Sequence, residues 1–87
     1  MIDEILAERE QTYGSFRAVA SLSQELKRVA QGGTNYRFMA VDQREALDMI
    51  FSKLARILNG DANHLDSWVD IGGYSQLVAK RLEKQSG

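Results

Sequence analysis

The chain has 87 residues, of which 44% are hydrophobic and 26% are charged, and its formal net charge is -1. A chain of this length forms one small domain, residues 1–87, which buries only about 60% of the surface that it exposes when unfolded. The near-neutral charge argues against a dedicated nucleic-acid binder, because such proteins carry a strongly basic surface. The absence of cysteine excludes disulfides and thiolate zinc sites.

The amino terminus and the apolar runs bear on where the protein works. The first ten residues, "MIDEILAERE", are acidic and amphipathic, unlike a secretory signal. No apolar run approaches the roughly 20 residues that a membrane span needs. We therefore expect no membrane association and a cytoplasmic location.

The absence of proline and the scarcity of alternating β-branched segments predict an all-α fold. The first helix is expected from about Ile2 to Glu10, and Gly14 separates it from the second. Ser15 is expected to cap the second helix, which ends at Gly32-Gly33. The segment "TNYRFM", residues 34–39, is expected to be a loop or a short irregular piece.

Two longer helices are predicted in the second half of the chain. The third extends from about Val41 to Leu58, and Asn59-Gly60 is a strong stop signal. The fourth starts after Asn63, where Asn63 and Asp66 form a variant of the capping box, and continues to about Lys84. Because the connection "NGDANH" is short, the third and fourth helices should form an antiparallel hairpin in a bundle of about four helices.

The third helix separates into two faces when it is wound at about 100° per residue. Its apolar face comprises Leu47, Ile50, Phe51, Leu54, Ile57 and Leu58, and its polar face comprises Glu45, Asp48, Met49, Ser52, Lys53 and Arg56. One interpretation of the polar face is a solvated surface with ion pairs between successive turns. In the other interpretation, Glu45 and Asp48 gather a divalent metal ion. Lys53 and Arg56 would then meet phosphate.

The fourth helix is apolar almost all round, since Leu65, Trp68, Val69, Ile71, Leu77, Val78 and Leu82 spread over most of its circumference. A helix of this kind is expected to be buried on several sides. So few helices cannot cover it within one small chain. We therefore expect the protein to self-associate, most simply as a homodimer.

Asp66 and Asp70 lie one turn apart on the fourth helix and share a stripe with Tyr74. An unpaired buried carboxylate is costly, so each aspartate needs a partner. In a structural interpretation, Asp66 caps the helix and interacts with its dipole, while Asp70 pairs with Lys53 or Arg56. In a functional interpretation, both aspartates face the two carboxylates of the third helix across a groove that holds a metal ion.

Gly72 and Gly73 interrupt the fourth helix, where each costs about 1 kcal/mol relative to alanine. Glycine lets another backbone or a ligand approach closely. We therefore assign Gly72 to helix–helix packing and Gly73 to the groove or a subunit contact. His64, the only histidine, is expected to cap the fourth helix or to lie at the surface.

Three segments carry a resemblance to known proteins: "EREQTYGSF", "EALDMIFSKLARILNGD" and "DSWVDIGGYSQL". They resemble a group of small phage and prophage proteins of uncharacterised function. That pattern is similar to the nucleotide-modification-associated and MazG-like all-α nucleoside triphosphate pyrophosphatases. The resemblance covers roughly residues 5–82, and its specific parts are Tyr13-Gly14, Lys53, Arg56, Asp66, Asp70 and Tyr74.

The resemblance implies a site. In the MazG-like enzymes, acidic clusters on two neighbouring helices bind magnesium, which holds the triphosphate for attack by water. Glu45 and Asp48 would match part of the first cluster, and Asp66 and Asp70 would match the second. The residues expected to contact the phosphates or the nucleotide are Lys53, Arg56, Tyr13 and Tyr74.

The chain also departs from the enzyme pattern, which usually has "EExxE" on the first helix and "ExxD" on the second. Two further functions therefore stand beside nucleotide pyrophosphohydrolysis. One is nucleotide binding without cleavage. The other is inhibition or regulation of a host protein, such as a defence protein, by a catalytically inactive phage protein on the same scaffold.

Overall fold

The computed structural model describes residues 1–86, which form four α-helices and one short 3₁₀ turn and contain no β-strand. The elements are α1 (Ile2–Tyr13), α2 (Phe16–Gln31), the 3₁₀ turn (Tyr36–Phe38), α3 (Val41–Asn59) and α4 (Leu65–Ser86). The all-α prediction is confirmed, and α3 and α4 pack against each other as the expected hairpin.

The helix boundaries follow the predicted start and stop residues with small differences. α1 continues past Glu10 to Tyr13 and ends at Gly14, whose φ of 84° lies in the left-handed region that favours glycine. The hydroxyl of Ser15 accepts a hydrogen bond from the backbone N–H of Ala18 at 3.2 Å, as expected for the cap of α2.

The start of α4 differs from the prediction. The expected capping pair of Asn63 and Asp66 is wrong, because the helix begins at Leu65 and His64 directly precedes it. The Nδ1 atom of His64 lies 3.0 Å from the hydroxyl oxygen of Ser67, whose backbone N–H donates to the carbonyl of His64. His64 therefore directly precedes α4, and its ring bonds to a side chain in the first turn of the helix and not to a free backbone N–H.

α3 lies in the centre of the molecule, with α4 on one side and α2 on the other, and α1 crosses its end. The interpretation of the polar face of α3 as a solvated surface is met at Glu45, which is exposed, whereas the other residues of that face are partly covered. The hydroxyl of Ser52, on the polar face, lies 3.3 Å from the hydroxyl of Ser23 on α2. Because α3 has neighbours on two sides, both of its faces are partly covered, whereas Leu58 at its end is exposed.

α3 is the helix with which α4 makes extensive contact. The expected burial of α4 on several sides is therefore not found within one chain. Its exposed apolar side chains are Leu65, Trp68, Val69, Leu77 and Leu82. A Cβ atom placed on Gly72 or on Gly73 would meet no atom within 4 Å. The assignment of Gly72 to helix–helix packing is therefore wrong for contacts inside the chain.

The molecule is elongated and has a thin core. Its extents are 48 × 26 × 22 Å and its radius of gyration is 15.0 Å, whereas a compact chain of this length has about 12 Å. Its accessible surface is 6583 Å², compared with about 5,200 Å² for a typical monomer of this size. The buried apolar residues are Val19, Ala46, Ala55 and Ile57. Within residues 1–86, no helix is both long enough and apolar enough to span a membrane.

Candidate functional site

Two ion pairs fix the register of the α3–α4 hairpin. The Lys53 Nζ atom lies 2.9 Å from Asp70 Oδ2, and the Arg81 Nε atom lies 2.5 Å from Asp42 Oδ2. The same number of residues separates Asp42 from Lys53 on α3 as separates Asp70 from Arg81 on α4. The two helices therefore run antiparallel in one constant register between these pairs.

The structure places Lys53 and Asp70 together as an ion pair, which is the arrangement of the structural interpretation. The Lys53 side chain is only 15% exposed, and Asp70 is about half exposed. A phosphate contact by Lys53 would have to share its ammonium group with Asp70. The pair holds the middle of α4 against α3.

The predicted metal-binding carboxylates are spread along the hairpin. In the observed register Asp48 lies opposite Ser75, well beyond Asp66 on α4. At about 1.5 Å per residue, Asp48 and Asp66 are separated by about 13 Å along the helix axis. Glu45 lies about one turn further still, whereas carboxylates that share a Mg²⁺ ion lie about 2.1 Å from it.

The expected convergence of Glu45, Asp48, Asp66 and Asp70 into one coordination sphere is therefore not met within a single chain. Among residues 1–86, no three Asp, Glu or His side chains form a group that could hold a metal ion. These residues do not by themselves fit a magnesium site. A magnesium site that uses them stays a prediction, and it needs further ligands from a second chain or from phosphate.

The end of α1 crosses the end of α3 with the two backbones in contact. The backbone N–H of Asp61 donates a 2.6 Å hydrogen bond to the carbonyl of Thr12. A Cβ on Gly60 would overlap the backbone of α1, and one on Gly14 would lie 2.6 Å from the carbonyl oxygen of Asn59. Only glycine permits this approach. We call the six residues of this crossing, 12–14 and 59–61, the corner.

Tyr13, at the corner, has a charged group on its face and a second ring at its edge. The guanidinium carbon of Arg56 lies 4.8 Å from the centroid of the Tyr13 ring, which is within the range of a cation–π interaction. The His64 ring meets the Tyr13 ring edge to face, with centroids 5.3 Å apart. The structure therefore brings together two of the residues predicted to contact nucleotide, Tyr13 and Arg56.

A groove of about 570 Å³ opens beside the corner, between α1 and the α2 and α3 helices. This volume lies within the roughly 300–1,000 Å³ of small-molecule sites. We call it the arginine groove, and its lining residues are Leu6, Arg9, Glu10, Tyr13, Gly14, Phe16, Val19 and Arg56. Lys53, Tyr74 and the four predicted carboxylates do not line it.

Arg9 is the residue of this groove that sequence reasoning missed. It precedes Tyr13 by one helical turn, so both side chains project from the same face of α1. The four-residue spacing of Arg9 and Tyr13 could have indicated that the two side chains share a helix face. The predicted first helix ended at Glu10, however, so Tyr13 was not placed on it. Neither Arg9 nor Arg56 forms an ion pair within residues 1–86. The groove therefore presents two guanidinium groups beside apolar and aromatic surface.

A second, smaller groove of about 340 Å³ lies between the 3₁₀ turn, α3 and α4. Its lining residues are Asn35, Met39, Gln43, Ala46, Leu47, Ile50, Ser75 and Val78. It contains no charged side chain, so it does not suit a phosphate ester. Tyr74 is half-buried on α4 and lines neither groove.

The groups with shifted pKa values lie outside the arginine groove. The hydrogen bond from Arg81 lowers the pKa of the Asp42 carboxyl. On α2, the hydrogen bond from Arg28 lowers the pKa of Glu25, and Glu25 in turn raises the pKa of Arg28. These shifts belong to surface ion pairs between or within helices, and they do not identify an acid or a base for catalysis.

Comparisons with curated proteins and with solved structures gave no match in either set. One protein-family model, that of a domain of unknown function named DUF6378, matches residues 2–82. The match spans almost the whole chain and includes the corner, the arginine groove and the Lys53–Asp70 pair. The chain therefore belongs to the DUF6378 family.

Proposed function

We propose that the protein binds a nucleoside or deoxynucleoside triphosphate in the arginine groove. The observation that carries this proposal is the presence of Arg9 and Arg56 in one groove, without an ion-pair partner for either among residues 1–86. Guanidinium groups bind phosphate through two parallel N–H donors, which gives both affinity and orientation. Two such groups suit a polyphosphate better than a single carboxylate.

The remaining lining of the groove suits a base and a sugar. Phe16 is 84% exposed and lines the groove, so its ring is available for stacking on a base. Glu10 lies beside the arginines as a hydrogen-bond acceptor for the N–H or O–H groups of a base or a sugar. A nucleotide offers all three chemical features at once.

The resemblance to small phage proteins and to MazG-like pyrophosphatases also supports a nucleotide ligand. The spread of the carboxylates favours binding over hydrolysis, because no metal-binding group forms among residues 1–86. Magnesium-dependent pyrophosphate release stays the stronger form of the proposal. It requires that Asp48 and Asp70 act together with further ligands from a second chain or from the phosphates.

The second candidate is an inactive phage protein that inhibits or regulates a host protein in the host cytoplasm. The exposed apolar side chains of α4 favour a protein partner, because contiguous apolar surface on a small protein usually marks an interaction site. A second copy of the chain satisfies the same requirement. We propose the homodimer as the state in which α4 is covered.

Calorimetric titration with a panel of ribo- and deoxynucleoside triphosphates in Mg²⁺ tests the proposal. Replacing Arg9 or Arg56 by Gln should raise the Kd by about 10-fold or more, because each removes a charge-assisted hydrogen bond of roughly 1.5–3 kcal/mol. Arg37→Gln is the matched control, since Arg37 lies on the 3₁₀ turn, stacked on Phe38 and away from the groove. Equal weakening by all three variants would mean non-specific charge attraction and would contradict the proposal.

Pyrophosphate release is measured in the same samples, and it distinguishes hydrolysis of the nucleotide from binding without hydrolysis. Turnover selects the enzyme, and stabilisation by a nucleotide without turnover selects the binder. If no nucleotide binds and one host protein is recovered on the immobilised chain, the inhibitor replaces both.

A further inference from the structure

We infer that two copies of the chain pack α4 against α4 in an antiparallel arrangement whose closest approach is at Gly72 and Gly73. The inference rests on the proposed self-association and specifies its surface and its orientation. The surface is the side of α4 that faces away from α3. We call it the outer face of α4, and it comprises Leu65, Val69, Gly72, Gly73 and Gln76, with Trp68 and Leu77 at its edges.

Apart from Gln76, the outer face consists of apolar side chains and glycines, and among residues 1–86 the larger contacts of α4 are with α3 alone. Ser67 is buried and Asp70 bonds to Lys53, which places these two residues on the side that contacts α3. Leu65, Val69 and Leu77 are 71%, 59% and 67% exposed. Two exposed aliphatic side chains on the outward side of one helix, with a third at the edge of that side, are the pattern of an interface that the single chain leaves open.

The two glycines give the position of closest approach. Each lowers the stability of a helix interior by about 1 kcal/mol relative to alanine, yet a Cβ on either would meet nothing within 4 Å. No contact among residues 1–86 therefore requires them. A second helix that crosses at this point would require them, because without side chains the two backbones approach closely.

The charges along α4 identify a second copy as the occupant and set its direction. Asp66 lies in the first turn, whereas Lys80 and Lys84 lie near the end with the single carboxylate Glu83. An antiparallel partner places its basic end beside Asp66 and its own Asp66 beside the basic end. A parallel partner would place like charges together and align the two helix dipoles, which is unfavourable.

The accessible surface area of the chain is large enough for an interface with a second copy. The chain exposes about 1,400 Å² more than a typical monomer of its size. A standard interface buries about 800 Å² on each partner. One copy can therefore cover an interface of ordinary size on the other and still leave the arginine groove open.

Cysteine cross-linking tests the arrangement directly, because the natural chain has no cysteine. With the crossing at the two glycines, Val69 of one copy faces Gln76 of the other. In a parallel pair each of these residues would face itself. A disulfide requires Cα atoms within about 7 Å of each other, so mild oxidation reports which positions are adjacent.

The experiment mixes Val69→Cys chains with affinity-tagged Gln76→Cys chains at tens of micromolar and oxidises them. Cross-linked heterodimer should exceed the homodimer of either variant alone by at least about 5-fold. The matched control mixes Gln24→Cys with Gln31→Cys chains, which carry the same spacing on exposed positions of α2 and should cross-link weakly. Homodimers in excess, or no cross-link above the α2 control, would overturn the inference.

Sedimentation of Gly72→Ala and Gly73→Ala provides the second measurement. Both variants should dissociate more readily, with a dimer Kd at least about 10-fold above that of the natural chain. An unchanged dimer Kd would overturn the placement of the crossing. Sedimentation and nucleotide titration of the natural chain separate the two proposals, since a natural chain that stays monomeric at tens of micromolar and still binds nucleotide refutes the dimer and leaves the groove proposal standing.

Discussion

The corner and the outer face of α4 each contain a pair of glycines, and the two pairs have opposite surroundings. At the corner, a Cβ on Gly14 or Gly60 would collide with the backbone of the facing segment. On the outer face, a Cβ on Gly72 or Gly73 would meet nothing. A glycine whose neighbour lies inside the chain is explained by the fold. A glycine in a helix interior that has no close neighbour within residues 1–86 points to a neighbour on another chain.

The two regions also differ in what holds them. The corner is closed by backbone contact and by the hydrogen bond from Asp61 to Thr12. α4 is held on one side only, by apolar packing and by the Lys53–Asp70 and Asp42–Arg81 pairs. Substitutions at the corner should therefore affect the folding of the single chain. Substitutions on the outer face should affect association.

The largest effect is expected at the corner. Gly60→Ala should lower the free energy of unfolding by about 3 kcal/mol, because the new methyl group overlaps the backbone of α1 and forces the crossing apart. Urea denaturation measures the change, with Gly72→Ala as the matched control. A loss below about 1 kcal/mol would show that the corner opens at little cost and that the two glycine pairs do not differ in the way proposed.

Asp70→Asn tests how much the Lys53–Asp70 pair contributes on the side of α4 that faces α3. It leaves the largely covered Lys53 without its partner and should lower the free energy of unfolding by about 1–2 kcal/mol, less than for a fully buried pair because Asp70 is half exposed. Asp66→Asn serves as the comparison variant, and its loss should be about 0.5 kcal/mol from the helix dipole. If Asp70→Asn instead abolishes Mg²⁺ affinity without lowering stability, the metal-site hypothesis is restored.

Gly72→Ala should have an effect whose sign depends on protein concentration. In dilute solution, where the chain is monomeric, it should raise the free energy of unfolding by about 0.5–1 kcal/mol through higher helix propensity. At concentrations that favour the dimer, the gain should vanish or reverse. Thermal denaturation at two concentrations an order of magnitude or more apart measures this. A gain that is the same at both concentrations would remove the distinction between the two glycine pairs.

The smallest expected effect concerns pH. Because Arg81 lowers the pKa of Asp42 in the folded chain below its ordinary value of 3.8, the pair stabilises the fold above that value. This contribution is lost as the pH falls through the lowered pKa. Arg81→Gln should therefore reduce stability slightly at pH 6 and by less near pH 3, which lies below the ordinary pKa of the carboxyl. Urea midpoints at these two pH values measure the difference, and an equal loss at both would assign the role of Arg81 to packing.

Helical periodicity was enough to predict the elements and the hairpin. The cap at Ser15, the stop at Asn59-Gly60 and the apolar spacing of α3 are local signals, and local signals act within a few residues. The Lys53–Asp70 pair was one of two stated alternatives. The choice between them depended on the register of the hairpin, which the short connection alone does not fix.

The features that sequence reasoning missed depend on contacts between distant segments. Gly14 and Gly60 are far apart in the chain, and only the crossing of α1 over α3 shows that they serve one contact. Arg9 and Arg56 meet in one groove for the same reason. The predicted carboxylates are spread along the hairpin because positions that share a helix face can still be far apart along the helix axis.

The placement of α1 has a consequence for the order of folding. The larger interfaces join elements that are consecutive in the chain, with the exception of the contact between α1 and α3. Contacts that are local in sequence form quickly, whereas the α1–α3 contact must close a loop that contains all of α2. We therefore expect α2, α3 and α4 to assemble first and α1 to dock last. In hydrogen exchange, the amides of α1 should exchange before those of α3, and the arginine groove should open and close with the docking of α1.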